Sequence, residues 1–109
     1  MLICADIARS RDFYRDVLGL SLKRDAVPEW VNFDLGGGAL LGLHPKTELL
    51  AVRPGSLQLG FSVDDVDRFV AECAKKGAPI FQYPSDESFG RFAMIGDPDG
   101  YAIQITTAR

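Results

Sequence analysis

The chain has 109 residues, 47% hydrophobic and 25% charged, with a net charge of −3 and a pI near 5.0. That size and composition suit one globular domain and leave little room for two. With 12 basic against 15 acidic residues and no basic run, nucleic acid and anionic membrane are excluded as partners, and no apolar run approaches the ~18 residues of a membrane span.

A chain this short buries only about 60–70% of the surface its unfolded form exposes, which favours a homodimer. The N-terminal stretch reaches charge at Asp6 and does not read as a signal peptide; a cytoplasmic location is the expectation. Cys4 and Cys73 stand in no zinc-like spacing. They are expected to be buried, reduced thiols acting as small hydrophobes.

In chain order, residues 1–5 are an apolar run and predict a short strand. Residues 9–18 set Phe13, Tyr14, Val17 and Leu18 at helical spacing, with Asp6 or Ser10 to cap the start and Gly19 to stop it. Alternation over 20–23 ends at Val27-Pro28. It resumes over 30–35, and after the Gly36-Gly37-Gly38 turn a further strand covers 39–44. Residues 45–56 form a connector between Pro45 and Pro54-Gly55.

A similar order then returns. A strand over 57–63 precedes a helix over 64–77, whose apolar stripe is Val66, Phe69, Val70, Cys73 and Ala74. Strands follow at 79–83, 89–96 and 100–106, the last two joined by a tight Asp97-Pro98-Asp99-Gly100 turn. Adding 62 to the hairpin of the first half matches Trp30, Gly38 and Leu41 to Phe92, Gly100 and Ile103. Adding 56 matches the helix stripes, and adding 58 matches Ile3-Cys4-Ala5-Asp6 to Phe61-Ser62-Val63-Asp64. The expected organisation is a single 109-residue domain of two units: about 1–44, the connector, and about 57–109.

Strand alternation assigns the faces. Leu57, Leu59, Phe61 and Val63, with Tyr101, Ile103 and Ile105, are expected to pack under the helices. Gln58, Gly60, Ser62, Ala102, Gln104 and Thr106 face away. So do Trp30, Asn32, Asp34, Leu40, Gly42 and His44 in the first half. A sheet curling about this mixed polar and aromatic face lines a small-molecule cavity.

Three segments carry a resemblance: DIARSRDFYRDVLGL (6–20), FSVDDVD (61–67) and DPDGYAIQI (97–105). In this order, on a repeat, they resemble the vicinal-oxygen-chelate superfamily, which includes glyoxalases, bleomycin-resistance proteins and extradiol dioxygenases. The resemblance covers nearly the whole chain. It implies an α+β fold of two βαβββ units, forming open curled mixed sheets around a cleft with the helices on the outer face, usually within a dimer. Metal-dependent members place His, Gln or Glu ligands on the first and last strands of each unit. By position this chain offers Gln58 where His is usual and Gln104 where Glu is usual. Gly42 has no ligating side chain, and the remaining position falls before Met1.

A divalent cation needs several anionic oxygens or imidazoles, so no metal and no cofactor are expected. His44 shares the face with Gly42 as a possible substitute ligand. Ser62 and His44 also share a predicted face, but nothing in the sequence makes them a nucleophilic pair. Arg91 is read as a loop-side arginine or as a contact for an acidic ligand. The leading expectation is a metal-independent small-molecule binding protein with contacts from Trp30, Asn32, Leu40, His44, Gln58, Ser62, Phe92, Met94 and Gln104. The alternatives are a metal-dependent lyase, isomerase or dioxygenase of the same superfamily, and a non-catalytic partner domain with a collapsed cavity.

Overall fold

The computed structural model describes residues 1–107; the expected end of the second unit, 108–109, lies outside the described residues. The chain divides into two compact units, one from Met1 to Arg53 and one beginning at Pro54. The first comprises β1 (Leu2–Cys4), α1 (Ile7–Asp12), β2 (Ser21–Ala26), β3 (Trp30–Gly36) and β4 (Ala39–Pro45). The second comprises β5 (Gln58–Val63), α2 (Val66–Lys75), β6 (Ile80–Glu87), β7 (Gly90–Gly96) and β8 (Ala102–Thr107).

Each unit is one open four-stranded mixed sheet, ordered β1-β4-β3-β2 in the first and β5-β8-β7-β6 in the second. The first strand of each unit runs parallel to the last, and the other pairings are antiparallel. This is the βαβββ arrangement expected from the sequence. The helix carries the chain from the first strand to the far edge of the sheet, and two antiparallel steps, through tight turns such as 36–38, bring the last strand back beside the first and parallel to it.

The helices start where an aspartate caps them. Asp6 Oδ1 accepts from the Arg9 backbone N–H at 3.2 Å, and Asp65 Oδ1 from that of Arg68 at 3.1 Å. Both aspartates have extended backbone, as an N-cap requires. Asp65 follows Asp6 by 59 residues, and Arg68 follows Arg9 by the same number. The sheet register agrees: Leu2 pairs with Leu43, and Phe61 with Ile105, the counterpart of Leu43 in the second hairpin. The first strands therefore repeat at 59, not 58. Asp6 thus corresponds to Asp65, the second of two adjacent aspartates, and not to Asp64. After α1 the chain makes a π-helical turn over Phe13–Val17, closed by Leu18 N–H to the Phe13 carbonyl at 3.2 Å. The wider turn still buries both Phe13 and Tyr14.

The core of each unit lies between its helix and one sheet face. Tyr14, Val31, Phe33 and Leu43 are fully buried in the first unit, and Cys73, Ile95, Ile103 and Ile105 in the second. A large aliphatic or aromatic side chain in such a position contributes about 1.5–3 kcal/mol. The expected burial of β5 is only half realised. Leu59, Phe61 and Val63 are half-buried, and Leu57, just before the strand, is exposed. Of the α2 stripe, Val66, Val70 and Cys73 are buried, Phe69 is half-buried and Ala74 is exposed.

The β7–β8 connection is built around a buried carboxylate. Asp97 Oδ1 accepts from the backbone N–H groups of Asp99 and Tyr101, each at 2.9 Å, and Gly100 N–H reaches the Asp97 carbonyl at 3.0 Å. Gly100 takes φ +87°, a conformation L side chains rarely adopt. Nearby, the Phe81 ring of β6 lies against Gly96 in the space a Cβ at that position would need.

Candidate functional site

In the second unit, register fixes which side chains share the face away from α2. Gln58 stands beside Ala102, Gly60 beside Gln104 and Ser62 beside Thr106 on β5 and β8. Across β7, Gln104 is opposite Met94 and Thr106 opposite Phe92. Gln58, Ser62, Phe92, Met94 and Gln104 therefore lie on one face of one sheet. Gln104 Nε2 donates to Gln58 Oε1 at 2.8 Å. Gly60 lies beneath this pair, and a Cβ there would meet only Gln104 Oε1, at 4.0 Å. Phe92 is buried, with its ring edge-to-face on Phe89 at 5.7 Å. Phe89, not singled out in the sequence, is the exposed aromatic surface at this end.

Two open cavities flank the amide pair. One, of about 320 Å³, is lined by Pro54, Gly55, Leu57, Gln58 and Ala102. The other, of about 540 Å³, is lined by Ser62, Ser88, Phe89, Thr106 and Thr107. The first end is smaller, with the Gln58 amide beside Pro54 and Leu57; the second gathers hydroxyls around one aromatic ring. Such a surface can stack a flat ring and hydrogen-bond its substituents.

In the first unit, Asn32 is opposite Gly42 and Asp34 opposite Leu40 on β3 and β4, on the face away from α1. Trp30, two residues before Asn32, shares this face and is partly exposed, as is Leu40. The His44 ring is half-buried, with Nδ1 2.8 Å from the Pro45 carbonyl oxygen. That contact makes Nδ1 the protonated nitrogen, because a carbonyl can only accept. Trp30, Asn32, Leu40 and His44 thus belong to one sheet, and the other five candidates to the second.

Arg91 lies on β7 rather than in a loop, and two carboxylates already pair with it. Its guanidinium is 3.0 Å from Asp67 and 3.1 Å from Asp86. The hydrogen bond it donates to Asp67, then that to Asp86, holds it more firmly in the charged form. Cys4 and Cys73 are both buried free thiols, and burial pushes the Cys73 thiol pKa up.

The donor set does not fit the divalent ion of metal-dependent superfamily members. Gln58 Oε1 is already engaged by Gln104, both side chains are neutral amides, and Gly42 contributes no donor. Among the described residues no three His, Cys, Asp or Glu side chains gather as a metal site.

The glyoxalase/bleomycin resistance protein/dioxygenase superfamily profile matches residues 1–105. The chain belongs to that superfamily. It is 29% identical to the phenazine antibiotic resistance protein EhpR of Enterobacter agglomerans, over 96% of this chain and 86% of that protein. It is 31% identical to the anthracycline biosynthesis protein DnrV of Streptomyces peucetius, over 99% of this chain but only 40% of that protein. Of the putative glyoxylase CFP32 of Mycobacterium bovis it spans 36%. Among solved structures, TnmS3, an antibiotic binding protein from Streptomyces sp. CB03234, superposes with a TM-score of 0.80 at 26% identity, over 99% of this chain and 91% of that one.

Proposed function

We infer that the protein binds a small, flat, partly aromatic molecule of the antibiotic type, without a divalent ion. The observation that carries this reading is the Gln58–Gln104 hydrogen bond. Where the superfamily pattern places His and Glu, this chain has two neutral amides bonded to each other. Two open surface cavities lie on either side. The names of EhpR and TnmS3 support the same class of ligand. We take residues 1–109 as one such domain, acting in the cytoplasm as a symmetric dimer. The metal-dependent lyase, isomerase or dioxygenase alternative has relatives in its favour but no donor set.

The test is a panel of phenazines, anthracyclines, dicarbonyl–thiol adducts and small thiols, read by thermal unfolding and Trp30 fluorescence. Metal chelation by EDTA should leave any hit unchanged. A hit abolished by EDTA and restored by Ni²⁺ or Zn²⁺ would overturn the metal-independent reading.

A further inference from the structure

Asn32 is 6% exposed, yet its Oδ1 has no hydrogen-bond partner. A buried amide oxygen normally has one, because leaving it unpaired sacrifices its hydration for nothing. Its surroundings on the sheet indicate what the oxygen is kept for. Opposite it on β4 stands Gly42, where a Cβ would meet nothing nearer than Met1 Cγ at 3.9 Å. The missing side chain leaves a notch beside the amide. On the same face Trp30 and Leu40 present 37% and 47% of their surfaces, an aromatic and an aliphatic wall. By contrast Val31 and Phe33, the strand neighbours of Asn32, are wholly buried on the helix side.

We propose that the Asn32 notch is a ligand subsite that selects a planar ring bearing an O–H or N–H donor, which Asn32 Oδ1 accepts while Trp30 and Leu40 cover the ring. The proposal rests on the small-molecule reading above and adds to it a chemical class and an atom. An acceptor-only substituent of the same size should be refused there, because it sets oxygen against oxygen in a buried place. Discrimination of this kind is strong, since a site built to hydrogen-bond leaves its own group unpaired with the wrong ligand.

The probes are 2-hydroxyphenazine and 2-methoxyphenazine, matched in ring and differing in the donor. The wild-type chain is expected to bind the hydroxyl compound at least about tenfold more tightly. Asn32→Leu should bring the two affinities together by weakening only the hydroxyl compound. Without ligand, that variant should melt no lower than wild type, because an apolar side chain of similar size replaces an unsatisfied one. Gly42→Val, which fills the notch and leaves the amide intact, should weaken both probes. Equal wild-type affinities, a preference that survives Asn32→Leu, or a variant that melts several degrees lower would each overturn the proposal. The last result would mean the amide serves the fold. If both probes bind without preference, only this subsite fails; if neither binds and the wider panel is also silent, the small-molecule reading fails with it.

Discussion

Gln104 on β8 donates its side-chain N–H to the side-chain oxygen of Gln58 on β5 at 2.8 Å, tying the first and last strands of the second unit across their exposed face. In water such a neutral bond contributes little to folding. Its weight lies in what it leaves on offer: one amide N–H₂ and one carbonyl oxygen, and no negative charge.

The first prediction therefore concerns metal. After dialysis against excess Ni²⁺, Mn²⁺ or Zn²⁺ and gel filtration, elemental analysis should find no stoichiometric ion on the wild-type chain. The paired change Gln58→His with Gln104→Glu should raise divalent affinity measurably, since it supplies an imidazole and a carboxylate. One ion per wild-type chain, lost in Gln104→Ala, would contradict this.

Ligand binding should depend on the same two amides without the fold doing so. A ligand at about 100 times its dissociation constant adds roughly 2.7 kcal/mol of stability, a melting shift on the order of 10 °C for a domain of this size. Gln58→Leu should weaken a polar hit by roughly 1–3 kcal/mol. In the absence of ligand its stability should change by no more than about 0.5 kcal/mol, as for an exposed position. Hits that ignore both Gln58 and Gln104 would move the site off this sheet.

Assembly is read directly by light scattering. A symmetric dimer should give about twice the 11.9 kDa chain mass at micromolar concentration. A mass that stays at one chain across the accessible range would remove the dimer.

Asp97 supplies a stability prediction. Its buried carboxylate holds the backbone N–H groups of Asp99 and Tyr101. Asp97→Ala strands both donors and should cost about 2–4 kcal/mol in urea unfolding. A loss under about 1 kcal/mol would show that the turn is held by its backbone alone.

The buried thiols should resist labelling. Burial raises the Cys73 pKa, so little thiolate is present near neutrality, and access is closed as well. A thiol reagent at pH 8 should modify Cys73 only on unfolding. The linkage runs with it. The folded chain holds this proton more tightly than the unfolded one, so the group's contribution to stability is lost as pH rises past the ordinary thiol range. Rapid native-state labelling would show a local opening at α2.

Much of the fold was legible because alternation and turn chemistry are local. The 36–38 and 97–100 turns and the paired hairpins needed no long-range information. The strand expected at 79–83 extends from Ile80 to Glu87, through Pro84. β6 runs on to Glu87 because it is an edge strand, where a proline withholds no ladder bond, and its pairing with β7 absorbs two irregularities. Alternation could place Gln58 and Gln104 on one face. That they bond to each other depends on rotamers, and that Asn32 stays unpaired depends on the space over Gly42; neither leaves a trace in periodicity.

The Phe81 ring seated on Gly96 has a consequence for how this sequence can drift. No other residue fits at 96 while the ring stays, so Gly96→Ala alone must evict a half-exposed aromatic from β6. With Phe81→Ala already in place, the ring contacts that oppose a Cβ at 96 are gone and the same change costs less. The two substitutions are thus coupled rather than additive, and lineages that have lost the ring are where a side chain at 96 should be found.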